Sequence, residues 1–452
     1  MIMQKRLNRV IVEVIFFIIF IKFAWPNENN FPHTLSIRQQ AEVINRITKL
    51  RLETLLPRIM REAGFDMWVI ACNEDHLDAV FKTMIPFDTW CPITQILVFY
   101  DPGEGKPIQR LNISRTNMRG FYEDVWDVKS WDLEKKEDQW SCLGRIVRER
   151  DPKKIAINES MEIWAADGLT VSLKKKITDA IGPKYAARLR SGEKLATLWL
   201  MTLLDEELEL YERVVSLARF LIKDTFSDTS VTPGVTTIDD LLFSYLQKVA
   251  NLGLENYAWP WFRIRARNPE VLKKYGKGDN VIRRGDLIQC DVGIRYLRYY
   301  TDHCEWAYVL QPNELDVPNG YKKIMAEANR LQDIFCQEFR EGLTGNQLLQ
   351  NILTRAKKEG LCKPKIYSHS IGYYLHEPGP LIGLPWEQEN TGARGDVTIL
   401  FNSTYTAELS VACPVQEIDG QELTMALEQI VAFTPRDTYF VGGRQTQFHI
   451  IK

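Results

Sequence analysis

Residues 285–310, GDLIQCDVGIRYLRYYTDHCEWAYVL, constrain this chain most, because they set two aspartates among residues that belong in a core. Asp291 and Asp302 stand eleven positions apart. The β-branched, apolar and aromatic residues around them read as two strands, with a turn at 296–298. A lone carboxylate in such surroundings is costly unless it has a partner. A hairpin sets the two side by side, where like charges repel unless a cation lies between them. Taken alone, the pair is equally well explained as two solvated turn aspartates, and the rest of the chain has to decide.

At 452 residues the chain is long enough for two or more domains. Its 45% apolar and 26% charged residues are ordinary for a globular protein. Lys+Arg 57 against Asp+Glu 59 leaves a net charge of -2, without the basic footprint of a nucleic-acid binder. The N-terminus differs from the rest. Lys5, Arg6 and Arg9 precede residues 10–25, VIVEVIFFIIFIKFAW, which is the layout of a secretory signal. Glu13 and Lys22 interrupt the run, and its pure core at 14–21 is too short to span a bilayer. Residues 1–26 are therefore expected to be a leader that exports the chain to a periplasm or beyond the cell, with an uncleaved membrane anchor or a buried helix as alternatives. The eight cysteines form no C-x-x-C pair, which excludes zinc-ribbon and thioredoxin readings, and they read as small buried apolar residues, with one or two disulfides open to an exported chain.

From residue 35 to about 62 apolar residues recur at helical intervals, and Pro57 is expected to break or kink the helix. Strands are expected at 67–71, 96–100 and 154–157, with helices at 140–150 and 173–181 between them, so this half reads as an α/β domain. Residues 204–225 form the strongest helix pattern, with Asp205, Glu206 and Glu207 at its N-terminal end. A second helix runs from about 237 to 250, and the domain boundary falls between 191 and 204. Beyond it come a strand at 263–266, the aspartate hairpin, helices at 319–340 and 345–359, a His-rich turn, and strands at 405–413 and 421–433.

Four further residues join the aspartates. His369 lies in SHSIG, His376 follows seven positions later in LHEPGP, Glu408 lies in TYTAELSV and Glu428 in TMALEQIVAF. A lone histidine on an apolar face is usually a satisfied core residue, but a glutamate inside an apolar strand pattern is harder to dismiss. Four carboxylates and an imidazole together suit two divalent ions of the Mn/Zn/Co type, bridged by carboxylates.

The order Asp, Asp at +11, His, Glu, Glu resembles the pita-bread metallopeptidases: methionine aminopeptidase, aminopeptidase P and prolidase, with creatinase as a metal-free relative. GDLIQCDVGIRY…YYTDH resembles their first two ligands, SHSIGYYLHE their histidine stretch, and TAELSV and ALEQ stand where the ligand glutamates belong. The likeness covers about 204–452, and 35–185, best at LPRIMREAGFDMWVI, looks like the N-terminal domain of the creatinase, aminopeptidase P and prolidase branch. The resemblance implies an α+β chain, with a creatinase-like α/β domain at 34–190 and a duplicated α/β catalytic domain at 204–452. It implies that Asp291, Asp302, His369, Glu408 and Glu428 hold two divalent metal ions, manganese first with zinc or cobalt as alternatives. Glu408 would also shuttle protons, and His376 would hydrogen-bond the substrate carbonyl. The expected activity is hydrolysis of the N-terminal bond of short peptides, Xaa-Pro aminopeptidase-like or dipeptidase-like, in a homodimer. The alternatives are a creatinase-like amide hydrolase and an inactive binding module on the same fold.

The pattern departs from the family in three places. No histidine occurs near Trp259–Trp261–Arg263, Lys365 stands where aminopeptidase P has a histidine, and Ala426 stands where it has an arginine. These departures bear on substrate preference and leave the expected ligands untouched. Trp259, Trp261, Phe262, Tyr373 and Tyr374 are expected to pack mostly in the core rather than line a pocket.

Overall fold

A computed structural model describes residues 33–87, 89–103, 105–127, 137–257 and 259–452, and the leader expected over 1–26 lies outside them. Leu35–Lys452 forms one compact unit, and no helix among the described residues is long and apolar enough to cross a membrane. Its first helix, Ile37–Leu50, opens with a capping box: the Ser36 hydroxyl accepts the Gln39 N–H, and the Gln39 side chain accepts the Ser36 N–H. A π-helical turn, Arg51–Leu55, then leads into helix Leu56–Ala63, which Gly64 closes at φ 69°. Pro57 does not break the helix, because it sits in the first turn of the second segment, where its missing N–H is not needed. The irregularity lies just before it and turns Arg51 into the interior.

Six strands follow: β1 (Met67–Asn73), β2 (Thr94–Tyr100), β3 (Gln109–Asn112), β4 (Glu123–Asp124), β5 (Ile155–Ile157) and β6 (Leu189–Ser191), in spatial order β4-β3-β2-β1-β5-β6. The continuous apolar run of β1 is explained by burial on both faces. Met67, Val69 and Ala71 pack with Leu143, Ile146 and Ile177 of the helices at Gln139–Arg150 and Val171–Ala186. Trp68, Ile70 and Cys72 face Leu56, Ile59 and Trp199 on the other side. Trp199 belongs to a buried helix, Glu193–Met201, in the segment where the sequence suggested a boundary, and the cluster it joins runs on to Ile430 and Val441.

Helices Asp205–Thr225 and Ile238–Asn251 precede β7 (Glu255–Asn256), β8 (Trp261–Ala266), β9 (Leu287–Val292), β10 (Ile294–Tyr296), β11 (Tyr299–Tyr300) and β12 (His303–Val309). Strands β8, β9 and β12 are antiparallel neighbours. The expected hairpin is present, and Leu297 and Arg298 turn it with φ 52° and 74°. Two non-glycine residues hold these left-handed angles because the tip is anchored. Arg298 donates to Thr48 Oγ1 (3.1 Å), the Thr83 carbonyl (3.3 Å) and the Ile85 carbonyl (2.8 Å), and the Tyr296 hydroxyl accepts the Leu35 N–H (2.7 Å). A Cβ on Gly293 would lie 2.2 Å from the Thr301 carbonyl, so the D-x-G glycine permits the hairpin's close approach.

After helices Asn319–Glu338 and Gly345–Lys358 come β13 (Lys365–Ile371), β14 (Leu381–Ile382), β15 (Ser403–Thr406), β16 (Glu408–Val415), β17 (Gln421–Leu427), β18 (Ile430–Phe433), β19 (Thr438–Phe440) and β20 (His449–Ile451). Their main path is β17-β16-β13-β15-β18-β19, with β14 beside β13, while β20 joins β12 in parallel. Two strands that the sequence presents as continuous are broken, at Ala407 and at Glu428–Gln429. The breaks lie together: the Ala407 N–H donates to the Gln429 carbonyl at 2.7 Å, and the Gln429 side chain accepts from Gln332 at 2.8 Å.

Candidate metal centre

The aligned breaks are where the expected ligands gather. Cys304 lies opposite Asp291 in the β9–β12 register, and Asp302, two positions before Cys304, shares its face. Cys304 also bridges to Glu428, with N–H···O bonds of 3.1 and 3.2 Å between the two backbones. That bridge brings the free backbone of the second break against the hairpin. From the other side, β13 pairs Tyr367 with Glu408 and carries His369 two residues on, so Lys365, Tyr367 and His369 share one face.

Asp291, Asp302 and Glu428 offer oxygen atoms within 4.8 Å of one another, and so do Asp302, His369 and His376 with their ring nitrogens. Asp302 belongs to both groups. Glu408 is outside both, yet its charge acts on Asp302 and Glu428. Burial comes first and neighbouring carboxylates second in pushing Asp302 and Glu428 well above the usual carboxylate range. Burial and Asp291 push Glu408 up to about 8. Asp291 is pushed up to about 6 by burial, against a hydrogen bond from Trp261 and the nearby Arg263. No cationic side chain pairs with these four acids among the described contacts, so the cluster is an uncompensated demand for positive charge.

The imidazoles divide differently. His369 is fully buried, and its Nδ1 faces the Ser370 carbonyl at 3.0 Å. A carbonyl only accepts, so Nδ1 carries the proton and Nε2 keeps its lone pair. That Nε2 is buried without a partner, as is Oε1 of Glu428. Burial holds His369 neutral, down to about 3. An orphaned imidazole nitrogen oriented by its other nitrogen, with a carboxylate cluster that shares Asp302, is a donor set suited to a metal ion. His376 is half exposed, with Nε2 3.8 Å from Asp302 Oδ2 and its ring 5.0 Å from that of His369. Its loop is fixed by the next residue, Glu377, at φ 59° and ion-paired with Arg394, whose guanidinium lies over the Trp164 ring.

Two contributors were not read from the sequence. Tyr367 lies 5.5 Å from His369, and its phenol is raised far above its ordinary range by burial and by the facing Glu408, Glu377, Glu428 and Asp302. Its position two residues before His369 on a strand was the available signal. Trp261 contacts Asp291 through the β8–β9 pairing, a nonlocal contact that no spacing reveals. Of the five aromatics expected in the core, Phe262 and Tyr373 are buried there. Trp261 and Tyr374 are half-buried and Trp259 is exposed.

Comparison with known proteins bears on the fold and the family. A methionine aminopeptidase of Buchnera aphidicola subsp. Baizongia pistaciae (strain Bp) is 27% identical over 198 residues, 41% of this chain and 70% of that protein. The crystal structure of X-Pro aminopeptidase from Thermotoga maritima MSB8 superposes with a TM-score of 0.60 at 17% identity, covering 87% of this chain and 100% of that one. Xaa-Pro dipeptidase from Bacillus anthracis gives 0.54 at 16% identity, covering 91% and 100%. At these identities the structures speak for the fold. Residues 209–435, half of the chain, match the family model that describes these enzymes and contain every residue of the cluster, so the chain belongs to metallopeptidase family M24.

Proposed function

We propose that this metallopeptidase removes the N-terminal residue from short peptides or splits dipeptides, with Xaa-Pro substrates foremost. The orphaned Nε2 of His369, together with four clustered carboxylates, carries the reading. Asp291, Asp302, His369, Glu408 and Glu428 would hold two divalent ions, whose charge neutralises the four carboxylates, with manganese first and zinc or cobalt as alternatives. When bound, such ions supply Lewis acidity toward a water and a substrate carbonyl. Glu408, its charge offset by the bound ions, would take a proton at its carboxylate oxygen and return it to the leaving amine. His376, exposed beside Asp302, donates from its ring to the substrate carbonyl oxygen. Residues 34–190 serve as the N-terminal domain and 204–452 as the catalytic domain, in a homodimeric, exported chain.

A cavity of about 220 Å³ opens beside Glu408, lined by Tyr367, Ser410, Thr424, Ala426, Pro385 and one cation, Lys365. Lys365 Nζ donates to the Pro385 carbonyl at 3.0 Å and so rests at the cavity rim. One positive charge in the lining of this cavity suits a free C-terminal carboxylate. The test is a panel of Xaa-Pro dipeptides and tripeptides, free and C-terminally amidated, offered to the metal-free chain and to chain reloaded with Mn, Co or Zn. Cleavage before proline that requires metal is the expected result. Metal uptake without cleavage of any peptide would overturn the substrate assignment.

A further inference from the structure

We propose that Cys362 and Cys413 form a disulfide that ties the strand bearing His369 to the strand bearing Glu408. The antiparallel register Tyr367↔Glu408, Ile366↔Leu409, Lys365↔Ser410, carried three residues further, sets Cys362 against Cys413. Lys363, left-handed at φ 42°, bends the chain there. The Ala412 N–H donates to the Cys362 carbonyl at 3.0 Å and holds Cys362 beside the Ala412–Cys413 step. The Cys362 thiol acts directly on that of Cys413 and helps keep it protonated. Both residues are half-buried, whereas Cys72, Cys91, Cys142, Cys290 and Cys304 are buried, and the Cys91 thiol donates to the Thr89 carbonyl instead.

Opposed residues of an antiparallel pair have Cβ atoms about 4.5–5.5 Å apart, and a disulfide needs about 3.5–4.5 Å. Closure therefore asks for a movement of about an ångström, and Cys362 lies in the turn between helix Gly345–Lys358 and β13, where the chain can supply it. The surroundings are acidic: Glu327 accepts the Cys362 N–H at 3.2 Å, and Glu422 pairs with Lys363. Burial first, then Cys362 and these acids, push the Cys413 thiol up to about 12. Such thiols suit a bond formed once and kept rather than a reactive thiolate.

With oxidised glutathione as oxidant, the Cys362 thiolate attacks one sulfur of the glutathione disulfide, forming a mixed disulfide and releasing one glutathione thiolate. The Cys413 thiolate then attacks Cys362 Sγ, forming the protein S–S bond and releasing the second glutathione. The two cysteine protons leave with two reduced glutathiones. The bond encloses His369, His376 and Glu408 in one covalent loop, and it does not depend on the peptidase reading.

The full chain is equilibrated in glutathione buffers of rising oxidised fraction, alkylated, and mapped by peptide mass spectrometry. The expected results are a linked peptide pair joining Cys362 and Cys413, and a higher melting temperature for the oxidised chain. The Cys362→Ser/Cys413→Ser variant should lose the glutathione dependence of that melting temperature, and Cys413→Ser alone should retain a mixed disulfide at Cys362. Both thiols alkylated at the most oxidising ratio, or either cysteine linked elsewhere, would overturn the proposal.

Discussion

His376 is the residue whose role the geometry leaves most exposed to experiment, because its ring also lies within coordinating reach of Asp302 and His369. Its half-exposed ring contrasts with the sealed, orphaned nitrogen of His369, and on this contrast rests the proposal that His369 binds metal and His376 contacts substrate. His376→Ala should therefore keep its metal and lose about 10²–10³-fold in kcat, the cost of a lost oxyanion donor. Loss of metal from that variant would make His376 a ligand. Asp291→Ala and Glu408→Ala should each lose metal-dependent turnover, and unchanged turnover would remove them from the site. The carboxylates also predict a pH effect with a definite sign. Folding raises Asp291 from 3.8 to about 6 and Glu408 from 4.5 to about 8, so the folded chain binds more protons than the unfolded chain between those values. Their contribution to the stability of the metal-free chain is present in acid and is lost as pH rises from about 4 to about 8. Divalent metal should therefore raise the melting temperature more at pH 8 than at pH 5, and an equal shift at both would contradict the shared, raised pKa values. The four acids that gather here were legible in sequence because acids in apolar strands are conspicuous, and the two histidines because they stand seven residues apart in a chain with six. Tyr367 was not, since a tyrosine in a strand needs no explanation.

Among the elements, the aspartate hairpin, its turn and the long helix at 205–225 were legible from period and turn chemistry. The paired strand breaks at Ala407 and Glu428–Gln429 were not, because a two-residue alternation looks the same whether or not its partner strand changes. The sequence also gave no sign of what joins the first helices to the hairpin. Buried Arg51 donates to Glu207 (2.7 Å), the Thr202 carbonyl (2.8 Å) and the Trp199 carbonyl, between the rings of Trp199 and Tyr373. Glu207 in turn accepts from the Tyr299 hydroxyl at 3.0 Å, beside the hairpin turn. Arg51→Met would leave the Glu207 carboxylate buried and unpaired, at a cost of about 3–5 kcal/mol. Urea unfolding should show that loss, with part of it recovered in Arg51→Met/Glu207→Gln. A loss below about 1 kcal/mol would show the pair to be dispensable.

In the molecule as a whole, the fold assembles an acidic cluster that it does not itself neutralise. Strands from the hairpin and from the last sheet meet at Cys304–Glu428, and the first helices lock the hairpin from outside. Nothing in composition foretold this, since the net charge is close to zero and the acids are far apart in the chain. The most direct test is metal content, measured by elemental analysis after incubation of the chelator-stripped chain with Mn, Co or Zn and removal of free ion. The expected result is about two ions per chain, with loss in Asp302→Ala, the residue shared by both ligand groups. A chain that takes up none of the three metals would contradict the account at its centre.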